Sequence, residues 1–446
     1  MGAAQTAAGP RKVNIVYIHS HDSGRYLKPY GYDVPTPNLQ RLASQGVLFR
    51  QTYTAAPTCS PSRAALLTGQ CPHRAGMLGL AHRGWSLNDY KQHIIHPLHD
   101  AGYTTVLAGL QHVAKDPAVI GYDVMIPHKS DNAKNVAPGA AEFLLSKPKE
   151  PFFLDAGFFE THRVYPKPTA EDNPNYIQPP SAVPDTPSSR RDMAGFHASA
   201  RHFDEGLGMI LDALEKAGLA DNTLVLSTTD HGIAFPGMKC NLTDDGMGIS
   251  MIMRGPRDCK PGSACDAMIS NIDVFPTICE YVGIAKPAWL EGKSFLPVLR
   301  GVAPEVNQEV FSEVTYHAAY EPKRCIRTQR WKYIARFDHR KYPVLSNCDD
   351  SPSKNVWLAA GWQKNPMVRE EQLYDLVFDP HERNNLIGDP LYAETHKDLH
   401  TRLWAWMKRT DDPILKGPVP LAPGGVTNDV DDISPKSLNR HTAPIK

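Results

Sequence analysis

The sequence has no long hydrophobic run and no excess of charge of either sign. None of its apolar stretches approaches the roughly 18 residues that a membrane-spanning helix requires. Lys and Arg number 48 and Asp and Glu number 48, so the formal net charge is +0 and no basic field attracts nucleic acid. We therefore expect no transmembrane helix, no membrane partner and no nucleic-acid partner.

A signal peptide and a cysteine framework are also missing. Residues 1–12 lack the apolar segment of a signal peptide, so the chain is expected to be cytoplasmic, or exported with its signal already removed. Eight cysteines are present without zinc-ribbon spacing, and Cys259 and Cys265 could close a small disulfide loop or remain free thiols. The sequence indicates neither the compartment nor the oligomeric state.

What the sequence does contain is an alternation of short apolar runs and helical patterns. The runs near residues 13–18, 103–108, 152–158 and 222–229 indicate buried parallel strands. This order predicts a doubly wound, mostly parallel α/β domain over residues 1–320. Residues 321–446 show antiparallel-type strands, a helix over 392–408 and a tail without regular structure, which together predict a smaller C-terminal α+β subdomain.

The stretch from Cys59 to Gly69 is the centre of the functional argument. Because Pro61 lacks a backbone donor, the predicted helix begins at Ser62 and ends at Gly69. Cys59 would then lie just ahead of the helix, where free N–H groups and the helix dipole favour an anion. Arg63 adds a guanidinium fork that suits sulfate or phosphate oxygens.

Polar residues follow several of the predicted strands. The carboxyl ends of strands in an open α/β sheet face the crevice in which ligands bind. Side chains at these ends are therefore candidates for a shared site. They are His21, Asp22, His112, His162, Asp230 and His231.

The order of a strand, a polar turn, a Thr-Pro-Asn helix start and Cys-Ser-Pro-Ser-Arg at 59–63 resembles the type I, formylglycine-dependent sulfatases of the alkaline-phosphatase-like superfamily. Stretches such as 76–82 and 235–239 are similar to the heparan N-sulfatase group. The resemblance implies that Cys59 is oxidised to formylglycine, whose hydrate is the nucleophile. It also implies a maturation partner, either a formylglycine-generating or an anaerobic sulfatase-maturing enzyme.

The resemblance implies roles for individual residues. Arg63 would orient the hydrate, His162 and Lys239 would bind sulfate and protonate the leaving atom, and His112 would be the base that releases sulfate. The implied metal ligands are Asp22, Asp230, His231, His21 and the modified Cys59. The candidates for sugar contact are Glu313, His317 and Arg324.

Two positions depart from the family pattern. His21 replaces the first of two adjacent Asp ligands, so Ca²⁺ is the expected metal with Mn²⁺ or Zn²⁺ as alternatives. Leu110 replaces a Lys that holds the sulfate, and Lys115 is its nearest substitute in sequence.

The implied function is an exo-acting sulfatase for a sulfate ester or an N-sulfo group on a sulfated saccharide. The lost Lys leaves open a phosphonate or phosphate diester hydrolase of the same superfamily. The lost Lys and Asp together leave open a non-catalytic glycan-binding relative, although the presence of Cys59 and Arg63 argues against it.

Overall fold

The computed structural model describes residues 12–365, 368–437 and 440–441. The start of the chain, for which no signal peptide is expected, lies outside these ranges except for Lys12. Among the helices described, none combines the length and the apolar character needed to cross a bilayer. All eight cysteines fall in the described residues and are free thiols, so Cys259 and Cys265 do not form a disulfide.

Short strands occur throughout the part of the chain that the structure describes. In chain order they are β1 (Asn14–His19), β2 (Val47–Phe49), β3 (Thr52–Tyr53), β4 (Thr104–Gly109), β5 (Val124–Ile126), β6 (Phe152–Gly157), β7 (Thr223–Thr228), β8 (Gly248–Ile249), β9 (Met251–Arg254), β10 (Ser263–Cys265), β11 (Ile269–Ser270), β12 (Glu309–Tyr316), β13 (Tyr320–Thr328), β14 (Trp331–Arg336), β15 (Glu371–Asp375), β16 (Thr427–Asn428) and β17 (Arg440–His441).

Helices connect and cover these strands. They are α1 (Pro37–Gln45), α2 (Cys59–Thr68), α3 (Pro72–Ala75), α4 (Ile95–Asp100), α5 (Ala133–Leu145), α6 (Pro187–Ala217), α7 (Asp244–Met247), α8 (Val274–Val282), α9 (Leu296–Leu299), α10 (Pro352–Ala359) and α11 (Ala393–Arg409).

The main sheet has eight strands in the order β10-β2-β9-β7-β1-β6-β4-β5. Strand β1 runs parallel to β6 and β7, whereas β9 is antiparallel to both β7 and β2. Alternate residues of β1 enter the two hydrophobic cores: Ile15 and Tyr17 enter one, and Val16 and Ile18 enter the other. Burial on both faces explains the continuous apolar runs and confirms the predicted doubly wound, mostly parallel sheet.

A second, antiparallel sheet has the order β12-β13-β14-β15. Helix α11 covers it through a buried face that includes Leu399, Leu403 and Trp406, and the Trp406 ring stacks on Phe311 at a centroid distance of 4.8 Å. The predicted antiparallel region and its docking helix are therefore confirmed. This sheet begins at Glu309, so a division of the chain at residue 320 would cut through it.

The tail differs from the expectation of no regular structure. Residues Pro413–Lys416 form a 3₁₀ turn that the Asp412 side chain caps, and β16 pairs with β17. The backbone N–H of Asn428 donates to Ala318 O at 2.8 Å, which joins the tail to the β12–β13 turn. These long-range contacts supply the order that the local composition does not predict.

Helix α1 receives its N-terminal cap from another helix. The backbone N–H groups of Asn38 and Leu39 donate to the Asp204 carboxylate of α6 at 2.9 and 2.7 Å. The side chain of Thr36, the N-cap residue, makes no capping hydrogen bond. The cap therefore also joins α1 to α6 across the sheet surface.

Replacement Asp204→Ala should lower the free energy of unfolding by about 1–2 kcal/mol, because it removes this cap from buried backbone donors. The midpoint of urea unfolding measures the change. Glu205→Ala is the matched control, since Glu205 is exposed on the same helix and its loss should be nearly neutral. Equal midpoints for the two variants would contradict the capping role.

Candidate active site

The ends of β1 and β7 and the start of α2 bring five potential metal ligands together. His21, Asp22, Cys59, Asp230 and His231 are buried, and each offers one ligand atom within 4.8 Å of the others. Strands β1 and β7 are neighbours in the sheet, so the residues that follow them emerge side by side. The structure thus unites all five residues that the sequence marks as candidate ligands.

Helix α2 begins three residues earlier than predicted. Cys59 is its first residue and Thr58 is its N-cap, and the N–H of Ser62 already donates to Thr58 O at 2.9 Å. Pro61 is tolerated in the first turn because an N–H at that position would have no helical partner. Gly69 ends the helix in the left-handed conformation with φ of 66°, as predicted.

Two buried carboxylates form the centre of the cluster. Lys239 Nζ donates to Asp22 Oδ2 at 2.8 Å, and Arg63 Nη2 donates to Asp230 Oδ2 at 3.0 Å. Burial alone would raise the pKa of Asp22, but the charge of Lys239 outweighs it and holds that pKa well below its usual value. The pKa of Asp230 is also lowered, because the positive charge around it, which includes Arg63, overcomes the effect of burial. Both carboxylates are therefore ionised.

The two histidines of the cluster direct ring nitrogens at the carboxylates and at Cys59. Burial lowers the pKa of His21 to about 4, and its Nδ1 lies 2.6 Å from Asp22 Oδ1 and 3.2 Å from Asp230 Oδ2. His231 donates from Nδ1 to Gly232 O at 2.9 Å, and its Nε2 lies 3.2 Å from Asp22 Oδ1 and 3.4 Å from Cys59 Sγ. A backbone carbonyl that fixes the ring in this way is typical of metal-binding histidines.

Lys239 lies between two carboxylates and a histidine. Its Nζ is 2.8 Å from Asp22 Oδ2, 3.0 Å from Asp349 Oδ2 and 3.5 Å from His162 Nε2. Burial would lower the pKa of Lys239, but Asp22 and Asp349 raise it well above its usual value. Sequence reasoning missed Asp349, which follows an irregular segment and carries no motif.

His112 lies at the edge of the cluster and is paired with a further histidine. Its ring is 5.8 Å from that of His21, and its Nε2 lies 3.0 Å from His82 Nδ1 in a stacked arrangement. Burial and the neighbouring His21 hold the pKa of His112 well below its usual value. The backbone of His112 has φ of 57°, a left-handed conformation that is uncommon for residues other than glycine. Residues in such conformations are found more often at functional sites.

Lys115 does not take the place of the lysine lost at Leu110. Lys115 is exposed and lines a cleft with Leu110 and His128, whose wall includes none of the five clustered residues. The nearest substitute in sequence is therefore not a neighbour of Cys59 in the structure.

Glu313 and Arg324 are not on the rim of the site, contrary to the expectation that they contact a sugar. Arg324 is 0% exposed and donates from Nε and Nη2 to Asp412 at 2.5 and 2.8 Å, with Glu313 Oε2 a further 3.4 Å from Nη2. Glu313 is 1% exposed and also binds His73 Nδ1 at 2.8 Å. Both side chains are occupied in a buried ion-pair network between the second sheet and the segment after α11.

His317, the third candidate for sugar contact, does lie beside the site. It follows β12, and burial together with the charge of Lys239 holds its pKa well below its usual value. Its Nδ1 has no hydrogen-bond partner among the residues that the structure describes. His317 therefore stays a candidate for substrate contact.

Comparisons with known proteins agree with this arrangement. A family model described as Sulfatase matches residues 13–284, which is more than half of the chain. The chain belongs to the sulfatase family. A second model, described as N-sulphoglucosamine sulphohydrolase, C-terminal, matches residues 238–365. The predictions of a sulfatase, a hydrolase of sulfuric esters, and of its α/β fold are thereby confirmed.

Three relatives illustrate the relationship. Human N-sulphoglucosamine sulphohydrolase is 28% identical, over 97% of this chain and 96% of its own length. An ulvan-active sulfatase from Formosa agariphila is 30% identical, over 92% of this chain and 82% of its own length. The structure of a 2-O GAG sulfatase superimposes with a TM-score of 0.69 and 21% identity, covering 91% of this chain and 94% of the other.

Substitution Arg324→Ala should lower the free energy of unfolding by about 3–5 kcal/mol, because it leaves Asp412 and Glu313 buried without their cation. Urea unfolding measures the loss. Arg340→Ala, which breaks a surface pair with Asp431, should cost no more than about 1 kcal/mol. A stable Arg324→Ala protein with a raised KM for a saccharide would instead restore the sugar-contact role.

Proposed function

We propose that this sulfatase hydrolyses a sulfate ester or an N-sulfo group at the end of a sulfated saccharide. The observation that carries the proposal is the position of Cys59. Its Sγ lies in one buried cluster with Asp22, Asp230 and His231, beside the cations Arg63 and Lys239. A nucleophile precursor, a metal-type donor set and two fixed positive charges are the components that transfer of a sulfuryl group needs.

The donor set fits a divalent cation. Two ionised carboxylates and two imidazoles within 4.8 Å offer oxygen and nitrogen ligands, and His21, Asp22, Asp230 and His231 would hold the ion. The Sγ of Cys59 marks where the oxygens of a formylglycine would lie. When bound, the ion and the aldehyde hydrate would supply charge neutralisation and a nucleophilic hydroxyl.

The remaining side chains would bind the anion and move protons. Arg63 would hold the nucleophile and sulfate oxygens in place through its fixed guanidinium. Lys239 Nζ and His162 Nε2, 3.5 Å apart, would share the proton that the departing oxygen or nitrogen needs. His112 would take a proton when the sulfate is released.

The names of the relatives suggest the substrate class. Human N-sulphoglucosamine sulphohydrolase and the ulvan-active sulfatase are named for sulfated saccharides, and the second family model also carries the former name. We infer a sulfated saccharide for this chain, with N-sulfoglucosamine and O-sulfated sugars as the first compounds to assay. His317, with its unpartnered Nδ1, is the side chain we assign to sugar contact.

Hydrolysis of a phosphonate or phosphate diester is the second candidate. Leu110 favours it, because the site has one lysine fewer than the sulfatase pattern provides for sulfate. Comparison of an aryl sulfate with an aryl phosphodiester would separate the two activities. A higher kcat/KM for the diester would replace the sulfatase proposal.

After coexpression with a maturation enzyme, the peptide that contains Cys59 should lose H₂S and gain O in a mass spectrum, which is the change from thiol to aldehyde. Cys59→Ala should lower turnover of a sulfated saccharide by about 10³-fold or more, since the nucleophile is gone. Cys265→Ala, at a buried thiol elsewhere in the main sheet, is the control.

Unconverted Cys59, no turnover and retained glycan binding would together contradict the enzymatic proposal. That result would favour a glycan-binding protein without catalysis.

His21→Asp should shift metal preference towards Ca²⁺ by about tenfold or more, because a hard carboxylate replaces an imidazole among the ligands. Metal content after removal of the native ion and incubation with Ca²⁺ or Mn²⁺ measures the change directly, without reference to activity. His202→Asp, at an exposed position on α6, is the matched control. Unchanged metal content in the variant would exclude His21 from the ligand set.

A further inference from the structure

Arg63 is held by three protein acceptors. Nη2 donates to Asp230 Oδ2 at 3.0 Å and to Ser20 O at 3.1 Å, and Nη1 donates to His19 Nδ1 at 2.5 Å. The side chain is almost entirely buried, and its Nε–H has no partner among the described residues. Three of the five N–H groups of the guanidinium are therefore used, which fixes its plane and leaves Nε–H and one Nη1–H to donate to an anion.

The hydrogen-bond pattern fixes the tautomer of His19. A guanidinium has no lone pair to offer, so His19 Nδ1 must accept from Arg63. The proton of the neutral ring then resides on Nε2, which donates to Asp155 Oδ1 at 2.9 Å. Tyr122 Oη donates to the other oxygen of Asp155 at 2.6 Å. The four side chains form one chain of hydrogen bonds that ends on Arg63.

The main sheet provides the space for this chain. His19 is the last residue of β1 and pairs with Gly157 of β6, and Asp155 lies two residues before Gly157 on that strand. A Cβ at Gly157 would lie 2.4 Å from His19 Cε1, so only glycine leaves room for the imidazole. The Tyr17 ring packs on the other side of His19, at a centroid distance of 4.7 Å.

We propose that Tyr122, Asp155 and His19 form a relay that positions Arg63 for the reaction, with His19 as the residue that contacts the guanidinium. This inference rests on the proposed function. Arg63 already contacts the Asp230 carboxylate, and a neutral imidazole orients the guanidinium further without adding a second negative charge beside it. Sequence motifs would not reveal this role, because it depends on pairing between β1 and β6.

A role in stability alone is the competing explanation, because any buried polar chain must be satisfied. The two explanations differ in what happens when Arg63 is absent. A residue that acts through Arg63 has no effect on turnover once Arg63 is removed, whereas a purely structural residue keeps its effect.

The test is a double-mutant cycle on the converted, metal-loaded enzyme with His19→Leu, Arg63→Ala and the double variant. His19→Leu should lower kcat about 10–100-fold with little change in KM. In the Arg63→Ala background the same change should lower kcat less than about twofold. His19→Gln should recover most of the activity, since its amide oxygen can accept from Arg63. His197→Leu, a largely buried histidine on α6, is the control.

Tyr122→Phe extends the test if His19→Leu does not fold, because it removes a single hydroxyl. It should lower kcat a few-fold in the wild-type background and leave the Arg63→Ala protein unchanged. Equal losses in both backgrounds, or a normal kcat in His19→Leu, would overturn the relay while the sulfatase stays active. A converted wild-type protein with no sulfatase activity would overturn the proposed function and the relay together.

Discussion

The burial of two carboxylates at the carboxyl ends of neighbouring strands is the constraint on which the site depends. Asp22 and Asp230 are inaccessible to water and remain ionised only because cations and polar donors surround them. Arg63 from α2 and Lys239 from the segment after β7 supply fixed charge at 3.0 and 2.8 Å. Because the two carboxylates need these cations, α2 and the segment that contains Lys239 pack against the ends of β1 and β7. The electrostatics of the site and the packing of the fold are therefore linked.

The two departures from the family pattern compensate each other in charge. A neutral His21 in place of an aspartate removes one negative charge, and Leu110 in place of a lysine removes one positive charge. Relative to the family pattern the sum of the two charges is unchanged, but an imidazole replaces a hard oxygen ligand and a hydrocarbon side chain replaces an ammonium group. His112, stacked on His82 and close to His21, gives this side of the pocket a histidine-rich wall. The two replacements therefore leave the sum of positive and negative charge unchanged. The preference of the site for a particular metal or anion can still change.

Much of the fold and the five-residue cluster could be predicted from the sequence, because these features have local signals. Buried parallel strands leave continuous apolar runs, and their polar ends mark the crevice. The predicted start of α2 was wrong by three residues, because Pro61 is compatible with a first helical turn. Asp349, His19 and Asp155 were missed because their roles arise from pairing between distant segments. Glu313 and Arg324 were assigned to sugar contact from a resemblance that carries no information about burial.

The site draws on both sheets, and the two contributions differ in kind. The residues that follow β1 and β7 supply the metal-type ligands, and α2 supplies Cys59 and Arg63. The turn after β12 and the segment before α10 bring His317 and Asp349 beside Lys239, the residue assigned to the leaving group. A sugar attached to the sulfate would extend from Lys239 towards these loops. Loops can change with little cost to a fold, so sugar preference can vary while the reacting centre stays fixed. Lys239 and Asp349, which lie on opposite sides of a division at residue 320, are in direct contact.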